Sequence, residues 1–112
     1  MDTILDPSAL ELITGGDPLA AAEIKDLFKT DTMDLLATMG QALASGDDEL
    51  LRRLGHTLKS TAATVGAMQA SSWGKAIEDG GLEAGKRLIP LLEEHLQEVF
   101  RMLDQAVVNP GR

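Results

Sequence analysis

The chain has 112 residues, of which 44% are apolar and 25% charged, the usage of one ordinary globular domain, which excludes wholesale disorder. Its formal net charge of -8 argues against nucleic acid or an anionic membrane surface as partner, because binders of either carry a basic face. The absence of cysteine excludes disulfides, thiolate metal sites and thiol catalysis. Aromatic residues are only 3%, so a core must come from Leu, Ile, Val, Met and Ala, which suits helices. No run approaches the roughly 18 apolar residues of a membrane span. Asp2 and Asp6 interrupt an N-terminus without a basic region, so no secretory signal is predicted and the cytoplasm is the expected compartment.

Asp6-Pro7 reads as a helix cap followed by proline at the first helical position. The short apolar face Ala9, Leu10, Leu12 and Ile13 then ends at Gly15-Gly16. A helix this short is unstable alone and is expected to pack across the end of a bundle. The same start signal recurs at Asp17-Pro18, and Leu19, Ile24, Leu27, Phe28, Leu35, Met39 and Leu43 keep helical spacing up to Ser45-Gly46. The polar segment Lys29 to Asp34 is a candidate bend. Its carboxylates Asp31 and Asp34 lack partners at metal-ligand spacing and read as a solvated face.

Asp47 or Asp48 can cap a third helix that should end near Val65-Gly66, with glycine taking the left-handed cap conformation. A fourth runs from Ala67 to Asp79 with Trp73 and Ile77 on its core face, weakened by Gly74. After Gly80-Gly81 the last helix spans about Leu82 to Val108, with Leu88, Leu92, Leu96, Val99 and Leu103 as its stripe. Pro90 predicts a kink there, because its ring removes the bond to Lys86. His95 sits at the edge of the stripe and reads as a packing residue with a wet tip. The expected architecture is all-α: an up-and-down antiparallel four-helix bundle over residues 4–108 with a short extra N-terminal helix, and a frayed tail at 109–112.

The informative helix is the third, RRLGHTLKSTAATVGA from Arg52 to Ala67. At about 100° per residue, Leu50, Leu51, Leu54, Leu58, Ala62 and Val65 fall within an arc of roughly 120°. His56 lies about 175° from the middle of that stripe, with Arg52, Arg53, Lys59, Ser60 and Ala63 within roughly 60° of it. It therefore faces water. An imidazole with a pKa near 6.5 is a competent nucleophile at neutral pH, and the Lys59 ammonium is placed where i,i+3 neighbours meet. Gly55, Ser60 and Ala63 are small enough to let another protein approach. On geometry alone the same pattern also describes an ordinary solvated face.

The run His56, Leu58, Lys59, then Ala62, Ala63, Gly66 and Ala67 resembles the signature of histidine-containing phosphotransfer (HPt) domains, H-x-L-K-G followed by small residues and a Gly-Ala pair. The opening ILDPSALELITGGDPL, the position of Phe28 and the segment Ala76-Ile77-Glu78 are also similar to stand-alone members, so the resemblance covers most of residues 4 to 108. It implies that His56 accepts a phosphoryl group, that Lys59 favours its charge, and that Gly66 ends the helix displaying it. Arg52, Arg53, Gly55 and Ala63 would then line a face that docks a receiver domain. Where the family has glycine four residues after the histidine, this chain has Ser60, which either donates a hydrogen bond to the phosphoryl oxygens or crowds the docking partner.

The function implied by this resemblance is phosphorelay signalling, with His56 exchanging a phosphoryl group with the aspartate of response-regulator receiver domains. The partners would be those receivers or a hybrid histidine kinase. No Gly-rich nucleotide loop is present, so an enzyme with its own nucleotide site is not expected, nor any intrinsic cofactor or metal; Mg2+ would come with the receiver. A monomer is expected. The competing reading is a docking bundle that sequesters receivers or a kinase with His56 unphosphorylated. A metal enzyme using His56 and His95 lacks any H-E-x-x-H spacing. A kinase dimerisation helix would have Glu or Asp, not Thr57, after the histidine.

Overall fold

The computed structural model describes residues 4–107, so the expectations for Val108 and for a frayed tail at 109–112 lie outside the described residues. Four helices are present, α1 (Pro7–Thr14), α2 (Pro18–Ser45), α3 (Asp48–Thr64) and α4 (Met68–Ala106), and among the described residues there is no strand. Each of the first three starts where a carboxylate can accept an otherwise unsatisfied amide of the first turn. Asp6 caps α1 through Ser8, Asp17 caps α2 through Leu19, and Asp47 caps α3 through the Leu50 N–H at 3.1 Å. Asp48, the other candidate cap, is thereby left for another role.

α4 is two helical arms, 68–80 and 82–106, meeting at Gly81, whose backbone (φ 60°, ψ -135°) is open to glycine and closed to nearly everything else. Counting the arms separately, four long helices alternate in direction. Phe28 of α2 meets Phe100 of α4 edge to face at 5.9 Å, and Lys25, one turn earlier, donates to the Val107 carbonyl at 2.9 Å. Between α3 and the first arm, Ser71 donates to the Lys59 carbonyl at 2.8 Å while Arg52 reaches the Glu78 carbonyl. Numbers rising on one helix fall on its neighbour, as an up-and-down antiparallel bundle requires. The core is built from Met39, Leu51, Leu58, Ile77, Leu92, Leu96, Val99 and Leu103, all fully buried.

α3 stops through paired bonds that satisfy its last carbonyls. The Ala67 N–H donates to Ala62 at 2.9 Å and the Gly66 N–H to Ala63 at 3.0 Å, with Gly66 at φ 79°. Gly66 is required twice over: its carbonyl accepts from the Asp6 N–H at 3.0 Å, and a Cβ there would strike the Asp6 carbonyl. That contact seats α1 against the end of α3.

α3 and the first arm of α4 approach closely. A Cβ on Gly74 would lie 2.7 Å from the Lys59 nitrogen and 2.8 Å from the Gly55 carbonyl; one on Gly55 would lie 2.7 Å from both the Gly74 carbonyl and the Glu78 nitrogen. The two glycines therefore let the backbones touch.

Three local expectations change. Pro90 leaves α4 helical, and the non-helical backbone inside α4 is confined to Gly81, at the expected break; Pro90 and Lys86, whose carbonyl loses its amide partner, are both exposed, so that carbonyl is not trapped in the core. The Lys29 to Asp34 segment continues as helix, with Asp31 and Asp34 exposed but Thr32 buried and Lys29 bound to Asp104. His95 packs edge-on to Trp73 at 5.2 Å, and its Nε2 is buried without a partner rather than wet.

Two outcomes follow for stability. Gly74→Ala gains about 1 kcal/mol of helix propensity, but the added methyl meets backbone that cannot yield, so a net loss of about 1–3 kcal/mol is expected; urea denaturation showing a gain would contradict the close approach. Burial pushes the His95 pKa down, with Glu98 opposing. The unfolded chain, with an imidazole near the ordinary value of about 6.5, then binds the proton first, so stability falls as pH drops below that value. Calorimetry from pH 7.5 to 5 should show a declining melting temperature that His95→Phe flattens; parallel slopes would refute it.

Candidate functional site

The wheel position of His56 translates into an exposed ring, with 58% of its side chain accessible. It stands in an open depression lined by Arg52, Arg53, Thr57 and Glu78. Opposite, Leu51, Leu58, Ala62 and Val65 are buried and Leu50 and Leu54 partly so. The amphipathic stripe thus anchors α3 and presents the imidazole outward.

Glu78, carried by the first arm of α4, closes the site from the side. One carboxylate oxygen lies 2.7 Å from His56 Nδ1 and the other accepts from Lys59 Nζ at 3.2 Å. Partial burial of this carboxyl raises its pKa, but the hydrogen bonds and charges of His56 and Lys59 together outweigh that and hold it below the usual glutamate value. It is therefore ionised at neutral pH and can only accept. Nδ1 must carry the hydrogen, and the neutral ring keeps its lone pair on Nε2. That nitrogen makes no hydrogen bond to any described residue. The arrangement offers a fixed nucleophilic nitrogen to a partner, with an ammonium one turn away.

The residues proposed from the sequence do not all lie on the open face. Arg53 and Ser60 are exposed, and Ala63 is half-buried beside them. Arg53 makes no ion pair with another described residue. Gly55 does not belong to a docking face: it is buried and turned inward against Gly74 and Glu78, because the α3–α4 crossing leaves no room for a side chain there. Arg52 lines the depression but is already committed, with Nε on Asp48 at 2.7 Å and its NH1 on the carbonyls of Glu78 and Asp79. Gly66 follows Val65, the C-cap of α3. With Lys59 on Glu78 and Arg52 on Asp48, the face is less positive than the α3 sequence alone suggests.

Glu78 is the site residue that a reading of α3 misses. Its only signal is its place in the segment Ala76-Ile77-Glu78, 22 residues from His56, and no local periodicity links the two.

Among the described residues no group of three or more His, Cys, Asp or Glu side chains is placed to hold a metal ion, and no helix is long and apolar enough to cross a membrane. Comparison with curated proteins and with solved structures returns no match. The family model described as Hpt domain matches residues 23–102, from α2 through nearly all of α4. Hpt domains are helical phosphotransfer modules of two-component phosphorelays that interact with receiver domains and kinases. The matched span takes in His56, Lys59 and Glu78, and the chain belongs to the Hpt domain family.

Proposed function

We propose that His56 is the phosphoryl acceptor and donor of a phosphorelay, exchanging the group with the aspartate of response-regulator receiver domains. The observation that carries this reading is the Glu78 bond to Nδ1, which leaves Nε2 as the free nucleophile on an exposed face. In the forward step the Nε2 lone pair attacks phosphorus, the bond from phosphorus to the aspartyl oxygen breaks, and the receiver carboxylate leaves as the anion. No proton needs to leave Nε2. The ring becomes cationic with its hydrogen still on Nδ1, and the ionised Glu78 stabilises that charge. Return of the phosphoryl group to a second receiver is the reverse.

The chain's contribution is positioning and charge, which phosphoryl transfer mainly requires. Lys59, held by Glu78 at rest, lies within one turn of the ring and can swing to the phosphoryl oxygens. Arg53 and Ala63 belong to the docking face. In this reading the chain is not an enzyme in its own right, acts in the cytoplasm as a monomer, and has no cofactor of its own, magnesium arriving with the receiver.

The test is to mix the protein with a phosphorylated receiver and magnesium. Label that is acid-labile, alkali-stable and absent from His56→Gln is expected. Because the ring is exposed, His56→Gln should melt within about 1 kcal/mol of the wild type. Receivers that bind without ever transferring would leave only a sequestering bundle.

Ser60 is exposed, and its hydroxyl makes no bond to a described residue. It is therefore free to donate to a phosphoryl group on the ring one turn away. Ser60→Gly should slow transfer by about fivefold, the equivalent of one ordinary hydrogen bond. Faster transfer would mean that the side chain crowds the receiver.

A further inference from the structure

One turn before His56, α3 grips α4 at the Gly81 break. Arg52 Nε donates to Asp48 Oδ2 at 2.7 Å, and Arg52 NH1 donates to the carbonyl oxygens of Glu78, at 3.3 Å, and Asp79. Asp48 Oδ1 accepts from the Leu82 N–H at 2.9 Å. A cation thus sits on the last carbonyls of one helical arm and an anion on the first amide of the next, each at the end of the helix dipole that favours it. A Cβ on Gly81 would strike Asp48 and lie 2.8 Å from Arg52 Nε, so the clamp also dictates glycine at the break.

The residue whose carbonyl Arg52 grips is the residue whose carboxylate holds His56. Glu78 lies three positions before the break, in the last turn of its arm, where helices fray unless their carbonyls are satisfied. The Gly55–Gly74 contact sets how near the arm lies and reaches the Glu78 nitrogen, but it satisfies none of the arm's last carbonyls, which Arg52 does. Hydrogen bonds of 2.7 and 3.2 Å weaken steeply when their groups shift.

We propose that Asp48 and Arg52 are positioning residues for His56: by clamping the helix break at Gly81 they hold Glu78 where it engages Nδ1, and so determine that Nε2 is the nitrogen offered to a partner. The functional meaning rests on His56 being the phosphoryl acceptor. The charges around the ring are Glu78 from α4 and Arg52, Arg53 and Lys59 from α3 itself.

The test is long-range nitrogen-to-proton NMR of the His56 ring in the full chain, at a pH where the ring is neutral. The wild type should populate mainly the Nδ1–H tautomer. Arg52→Gln should move the ratio about fivefold toward the Nε2–H form, as expected for loss of a hydrogen bond, approaching Glu78→Ala. A variant that melts cooperatively at lower temperature with the wild-type tautomer ratio would make the clamp purely structural and overturn the proposal. Should Arg52→Gln fail to fold, Asp48→Asn carries the same decision, since it keeps an acceptor for Leu82 while loosening Arg52. Tautomer and phosphoryl acceptance are separate readouts. A wild type that holds the Nδ1–H form but takes no label from any receiver refutes the phosphorelay reading and leaves the clamp standing.

Discussion

The site depends on a contact between two backbones. Gly55 and Gly74 remove the side chains that would otherwise separate α3 from the first arm of α4. Only at that spacing can Glu78 reach both His56, next to Gly55 in sequence, and Lys59, whose backbone nitrogen lies against Gly74. Each glycine costs its helix about 1 kcal/mol of intrinsic propensity. Burial of Leu51, Leu58, Ala62 and Ile77 around the crossing offsets that cost, and the net result is a carboxylate delivered to an imidazole.

Glu78 then governs the electrostatics. A single carboxylate accepts from both the ring and the ammonium, so the resting site is balanced rather than strongly positive. A negatively charged group arriving at Nε2 would compete for Lys59 while strengthening the attraction between Glu78 and the ring. In the proposed relay the same residue would orient the nucleophile before transfer and support its positive charge afterwards, without any proton moving.

The rest of the bundle holds this crossing in register. α2 lies along α3 and the second arm of α4, pinned at one end by Phe28 on Phe100 and by Lys29 on Asp104. Lys25 is buried there too, donating to the Val107 carbonyl at 2.9 Å, a position where a long cation is tolerated because its tip finds an acceptor. α1 contributes through the bond from Asp6 to Gly66, which ties the N-terminal segment to the end of the histidine-bearing helix. The Hpt match begins after α1, consistent with α1 acting as a cover on a bundle complete without it.

Much of this was legible in the chain itself. Asp6-Pro7, Asp17-Pro18, Asp47, Gly46 and Gly66 mark helix ends because capping is a matter of a few consecutive residues, and the leucine stripe of α3 predicts an outward His56 because helical geometry is local. Residue types and spacing therefore determined the helices, their order, the bundle and the exposed histidine with its neighbouring lysine. Helical geometry sets Gly55 beside the leucine stripe and about 100° from His56, but no local pattern shows that the α4 backbone packs directly against it. Nor could residue types and spacing pair His56 with Glu78, Asp48 with Leu82 or His95 with Trp73, which lie 22, 34 and 22 positions apart. Those pairings were decided by tertiary structure alone, because the distance between two side chains on different helices is set by how closely and at what register the helices pack, and no local pattern carries that information.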